Sequence, residues 1–238
     1  MPDALALDSR DIEKKFGYSF AVRNISLQVR RGEFVALFGR NGAGKTTFLK
    51  IAATLMRPTK GALSIEGFDI GKQPEEARRR IGFLSHNTFV YRDLSAIDNL
   101  RFFCKLYGVD DSEERLMGML DRVGLRKRAG DTVRAFSRGL QQRVGIARTL
   151  LHDPALILLD EPYTGLDANA SQTLNELLDA AVRSGKTVIL TTHDVDQGLR
   201  GATRAVIVDR GVVVHDAKPS DPSTREAYAR YIERGESR

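Results

Sequence analysis

The 238-residue chain has little that would hold it outside a cell or within a bilayer. It carries one cysteine, Cys104, so no internal disulfide can form, which fits a reducing compartment. Phe102 and Phe103 precede that thiol, which reads as a small buried core residue rather than a reactive group. No apolar run approaches the roughly 18 residues that a membrane helix needs. The start, Met1-Pro2-Asp3-Ala4, lacks the basic and apolar stretches of a signal peptide. There is no internal repeat and no low-complexity segment. The net charge is +6, but the basic clusters Arg78-Arg79-Arg80 and Arg126-Lys127-Arg128 are short. No aromatics interleave with them to stack bases, so no nucleic-acid partner is expected. The remainder, 42% hydrophobic and 29% charged, is ordinary for a globular chain long enough to bury a real core.

What is present centres on Gly39-Arg40-Asn41-Gly42-Ala43-Gly44-Lys45-Thr46-Thr47. The apolar run Phe34 to Phe38 before it predicts a buried strand. Thr46 to Met56 after it has the spacing of a helix. Glycines permit a tight turn whose backbone N–H groups converge on a phosphate chain, at the positive end of the new helix. Lys45 supplies a charge for the β- and γ-phosphates, and Thr46 a hydroxyl for Mg²⁺. A purely structural turn rarely needs three glycines and a lysine.

Up to about Phe38 the chain reads as short strands and turns, with Ile25 to Val29 alternating at period two. Further strands are predicted at Ala62 to Ile65 and Ile81 to Leu84. From about 87 to 151 the texture turns helical, over Ala96 to Tyr107, Glu113 to Val123 and a segment from Ser137 or Gly139 to Leu151. Apolar strands follow at Ala155 to Leu159 and Thr187 to Thr191. Between them lies a helix with Leu174, Leu177, Leu178, Ala181 and Val182 on one face. Ala205 to Val208 and Val212 to Val214 form a last pair, and a polar tail begins near Ala217 with one short helix. The expected class is α/β: a P-loop NTPase core with a mostly parallel sheet, an N-terminal antiparallel β portion and an inserted helical subdomain. The catalytic domain spans 1–216, with 87–151 inserted and 217–238 as tail.

Ligands of open parallel sheets bind beyond the carboxyl ends of the strands. Three apolar strands end there in reactive groups: the glycine loop, Asp160-Glu161 and His193. Asp160 is positioned for Mg²⁺, and Glu161 for orienting or deprotonating a water. Pro162 is expected to hold Glu161 extended. His193 is a donor for the γ-phosphate, with a helix cap as the plainer alternative. Ser137, before Arg138-Gly139-Leu140, reads most simply as an N-cap, and the glycine and hydroxyl at that helix start also make a ready anion site.

In their order, the glycine loop, Ser137–Arg143, Asp160-Glu161, Gly165-Leu166-Asp167 and His193 resemble the ATP-binding cassette (ABC) ATPases over about residues 3 to 215. The resemblance implies ATP and Mg²⁺ as cofactors and hydrolysis that drives a separate transmembrane permease. It implies a head-to-tail homodimer in which Ser137 and Gly139 of one copy close over ATP held by the other. Asp167 would then lie at the seam, and Phe16 would stack on adenine. His86 stands where the family has a glutamine that contacts Mg²⁺ and the permease, and is expected to couple the two. Arg138 and Leu140 depart from the usual glycine and glutamine. The stretch Ile81 to Tyr107 is most similar to the ATP-binding subunit of bacterial heme exporters of cytochrome c maturation, which implies an exporter. The implied location is the inner face of the cell membrane, held peripherally by the permease. The alternative is an ATPase of this type acting on nucleic acid or the ribosome. A P-loop kinase would have no use for the Ser137 segment or His193.

Overall fold

Strands buried on both faces and strands buried on one face separate into two sheets. The computed structural model describes residues 4–85 and 87–232. The elements are β1 (Leu5–Phe16), β2 (Ser19–Arg30), β3 (Phe34–Phe38), α1 (Lys45–Ala52), β4 (Lys60–Ile65), β5 (Phe68–Asp69), α2 (Pro74–Arg78), β6 (Ile81–Leu84), α3 (Ala96–Tyr107), α4 (Glu113–Arg122), α5 (Arg138–Leu150), β7 (Leu156–Asp160), α6 (Ala168–Arg183), β8 (Thr187–Thr191), α7 (Val195–Leu199), β9 (Arg204–Asp209), β10 (Val212–Ala217) and α8 (Pro222–Tyr231). Four antiparallel strands pair in the order β2-β1-β4-β5, and six pair in the order β10-β9-β3-β8-β7-β6. In the second sheet β9, β3, β8, β7 and β6 run parallel, and only β10 is antiparallel. The α/β class with its antiparallel N-terminal portion is the architecture observed.

Every residue of β3, β7 and β8 is buried, because both faces of the sheet are covered. Successive residues serve opposite cores. Leu158 and Ile189 pack with Phe48, Leu49 and Ile51 of α1 and with the antiparallel sheet. Leu159, Val188 and Leu190 pack with α3 to α6, including Leu174, Leu177 and Leu178. Ala181 and Val182 are only partly buried against that core. Cys104 lies within it, and burial pushes its thiol pKa up, as expected of a core residue.

Three local expectations need correction. The first strands are not short: β1 and β2 have 12 residues each, interrupted by register shifts around Asp11, whose φ is 50°. A bulge adds a residue and breaks the period-two signal, which hides a long strand. The first helix ends at Ala52 rather than Met56, because Thr54 turns left-handed with φ 60°. The segment after Ala217 is more than a polar tail. Ala227, Tyr228 and Tyr231 of α8 pack on Ala36, Phe38, Ala205 and Ile207.

Candidate active site

The glycine loop joins β3 to α1 at the carboxyl edge of the parallel sheet. Gly44 caps α1 with φ 105°, and a Cβ there would lie 2.3 Å from the Ala21 carbonyl oxygen. Only glycine lets the loop close this tightly on β2. The first-turn N–H groups of α1 have no intrahelical acceptor and face the loop's concavity. Lys45 is buried, with Nζ donating to the carbonyls of Gly39 (2.5 Å) and Arg40 (3.2 Å). Desolvation pulls its pKa below the usual lysine value, and the charges of Glu161 and then Asp160 oppose that shift. An ammonium short of water and surrounded by carbonyls is ready to exchange them for phosphate oxygens.

Two hydroxyls converge on one carboxylate oxygen. Thr46 Oγ1 donates to Asp160 Oδ1 at 2.9 Å, and Thr191 Oγ1 donates to the same atom at 2.8 Å. Asp160 is 4% exposed, so these bonds hold a carboxylate that bulk water barely reaches. Thr191 was not singled out in the sequence. It lies directly opposite Asp160 across the β7–β8 pair, a neighbour relation that only the strand order creates. Its hydroxyl also accepts from Glu161 N at 3.1 Å, as does its carbonyl.

Those two bonds correct the expectation for Glu161. Its φ is 51°, left-handed rather than extended. Pro162 disfavours the right-handed helical region for the residue before it, and the bonds to Thr191 turn the backbone the other way. The turn brings Glu161 Oε2 to 2.9 Å from His193 Nδ1. A carboxylate oxygen accepts, so Nδ1 carries the proton of that bond. His193 is not the helix cap; Asp194 caps α7 by accepting from Gln197 N at 3.0 Å.

The remaining residues form two further groups. Gly39, Asn41, Gly42 and Ala43 belong to the loop itself, tied to the β9–β10 turn where Gly211 N donates to the Ala43 carbonyl at 2.9 Å, and Thr47 lies in the first turn of α1. Phe16, 52% exposed, sits at the end of the β1–β2 hairpin that leads into Ala21, with Lys14 Nζ 5.4 Å from its ring centroid. Ser137 caps α5, its Oγ accepting from Leu140 N at 3.4 Å. A Cβ on Gly139 would lie 2.7 Å from the Gly165 carbonyl oxygen, so glycine lets α5 start against the Gly165 turn. Arg143 reaches Asp167 at 3.3 Å, and Asp167 caps α6. Buried Gln142 donates to the Pro162 carbonyl at 3.1 Å, linking α5 to the acidic turn. Its partner lies 20 residues further along the chain, which hid that role in the sequence. His86 lies outside the described residues. No helix among the described residues is long and apolar enough to cross a membrane.

Known proteins are similar to this chain in sequence and fold. Residues 22–164 match the family described as ABC transporter. The chain is 38% identical over 210 residues to the ABC transporter ATP-binding protein NatA of Bacillus subtilis, covering 87% of this chain and 85% of that one. It is 36% identical over 217 residues to the Nod factor export ATP-binding protein I of Cupriavidus pinatubonensis, covering 90% and 67%. Among solved structures, a dimeric ATP-binding cassette in a post-hydrolysis state with ADP and Pi aligns with TM-score 0.83 and 29% identity, over 90% of this chain and 99% of that one. An ATP-binding subunit of an ABC transporter aligns with TM-score 0.85 and 30% identity, over 95% of each. With a phosphate loop, a shielded carboxylate and a Glu–His pair on one sheet edge, this chain belongs to the ABC transporter family as an ATP-binding, ATP-hydrolysing subunit.

Proposed function

We propose that this ATPase powers a separate membrane permease, and that two copies act head to tail with ATP between them. The observation that carries the permease is a cleft of about 600 Å³ between the sheet and the helical block. Its lining includes Leu55, Phe89, Tyr91 and Leu106, exposed by 50 to 65%. Apolar side chains gathered in one open groove signal a partner that covers them. The groove adjoins the loop after β6, the expected coupling segment around His86. The dimer reading is supported by the grouping of Ser137, Gly139 and Asp167 around the Gly165 turn, and by the dimeric state of a structural neighbour.

In this reading Phe16 stacks on adenine, and Lys45 with the α1 N–H groups holds the phosphates. Thr46 and Asp160 fit Mg²⁺: the hydroxyl donates a hydrogen bond to the carboxylate, which leaves its oxygen lone pairs for a cation. Mg²⁺ held by these two residues would supply positive charge against that of the phosphates. Glu161 orients the attacking water and accepts its proton. His193, held by Glu161 at Nδ1, donates to the γ-phosphate from Nε2 when that nitrogen also carries a proton, as an imidazolium. Ser137 and Gly139 of the second copy complete the phosphate shell.

Export is the favoured direction, because similar proteins are named for Nod factor export and linearmycin resistance. Another similar protein is named for methionine import. Heme as cargo, and a role in cytochrome c biogenesis, rest on the Ile81 to Tyr107 stretch alone. Attachment to the inner membrane face follows from the permease. Leu106→Glu tests the proposal, since a carboxylate in this groove cannot be covered by an apolar partner without a large desolvation cost. Co-purification with the permease and permease-stimulated turnover are expected to be lost, with basal hydrolysis within about twofold of wild type. Undiminished stimulation would refute the docking site.

A further inference from the structure

The turn that carries His193 is held from outside the sheet by the last helix. After Thr191 the chain leaves β8, and Asp194 N donates to Thr192 Oγ1 at 3.1 Å. Between these two residues, the His193 carbonyl accepts from the Tyr228 hydroxyl at 3.0 Å. His193 is therefore tethered twice, at its ring by Glu161 and at its backbone by α8.

Tyr228 is itself well anchored. Its ring meets Phe38 edge-on, with centroids 5.8 Å apart and planes at 88°. Phe38 is the buried last residue of β3, one position before the glycine loop. It packs so closely on α7 that a Cβ at Gly198 would lie 2.6 Å from its ring. The base of α8 is pinned by buried Thr224, whose Oγ1 donates to the Lys218 carbonyl at 2.9 Å and lies 3.0 Å from His215 Nε2. Beside the tether, a cavity of about 590 Å³ separates α7 from α8, lined by Asp194, Leu199 and Arg225 among others. The helix thus meets the turn along one edge, where the phenol is a polar link.

We propose that Tyr228 is a positioning residue for His193: it fixes the His193 carbonyl and so sets where the imidazole meets Glu161. Because Tyr228 rests on Phe38, the histidine turn and the glycine loop share one reference point in the fold. The proposal rests on the reading of Glu161 and His193 as the hydrolytic pair. Removing the hydroxyl leaves a carbonyl that water can satisfy, so the chain still folds while the turn gains freedom in ψ.

A double-mutant cycle on the full chain reads this directly. Tyr228→Phe is expected to lower kcat about 10-fold while leaving the Kd for ATP within about twofold, the pattern of a misplaced group that acts after binding. In a His193→Ala background the same substitution is expected to change nothing further. Tyr231→Phe, which removes a hydroxyl from the same helix, is expected to keep wild-type kcat. Wild-type turnover in Tyr228→Phe, the same fold loss in the His193→Ala background, or an equal loss in Tyr231→Phe would each overturn the proposal. Wild-type turnover in His193→Ala alone would instead remove the hydrolytic reading of His193, and the positioning role with it.

Discussion

Glu161→Gln separates the chemistry at this site from its architecture. Glutamine has the shape of glutamate and keeps an oxygen to accept from His193 Nδ1, now 2.9 Å from Glu161 Oε2. The left-handed backbone at φ 51° is held by Glu161 N donating to Thr191, which the substitution does not touch. Stability is therefore expected to change by no more than about 0.5 kcal/mol. What disappears is the acceptor for the water's proton, a loss of roughly 10²–10⁴ in kcat, or about 3–5 kcal/mol of transition-state stabilisation. Lys45 supplies a second readout. Glu161 is the larger of the two charges that oppose its desolvation, so its pKa falls further in the variant. The amine then loses its proton earlier as pH rises, and ATP affinity should weaken at a lower alkaline pH than in wild type. Phosphate release at saturating ATP, an ATP-binding titration across pH and a thermal melt together decide the matter. Wild-type turnover would refute the assigned base. Turnover lost together with ATP binding at neutral pH would refute the claim that the site stays assembled.

Two further outcomes follow from packing and burial. Gly44→Ala must place a Cβ 2.3 Å from the Ala21 carbonyl at φ 105°, so the loop and β2 must part. A loss of roughly 2–5 kcal/mol in urea unfolding, with ATP binding abolished, is expected; an unchanged midpoint would contradict the close approach. His152 packs on Tyr107 with ring centroids 4.2 Å apart, beside Arg148, and its Nε2 lies 3.0 Å from the Ile81 carbonyl. Burial lowers its pKa below the ordinary 6.5, with Arg148 adding to the shift. The unfolded chain therefore binds this proton first, and stability present above about pH 6.5 is lost as pH falls through that value. Between about pH 7.5 and about pH 5.5 the urea midpoint of wild type should drop more than that of His152→Phe. Equal drops would show that His152 does not carry the effect.

The strand runs Phe34 to Phe38 and Thr187 to Thr191 were legible because a strand covered on both faces carries apolar residues at successive positions, here Phe34 to Phe38 and Val188 to Leu190. The helix Ala96–Tyr107 was legible through its spacing, with Ser95 capping it by accepting from Asp98 N. Glu161 was legible as a residue but not in conformation, since proline chemistry excludes one backbone region without choosing among the others. Gln142 and Thr191 were missed because their partners, the Pro162 carbonyl and Asp160, lie 20 and 31 residues away in the chain.

By itself the sequence determined the local chemistry: a glycine loop that turns tightly around phosphate, acids and a histidine at the ends of apolar strands, and a serine before a helix. These are properties of neighbours in the chain, set by backbone sterics and hydrophobic periodicity. Only the tertiary structure decided which ends meet. Strand order sets Thr191 against Asp160 and Glu161 against His193. The packing of α8 on Phe38 brings Tyr228 to the His193 carbonyl, although those residues are 35 positions apart. Contacts over such separations come from burying a shared core, which no local pattern encodes.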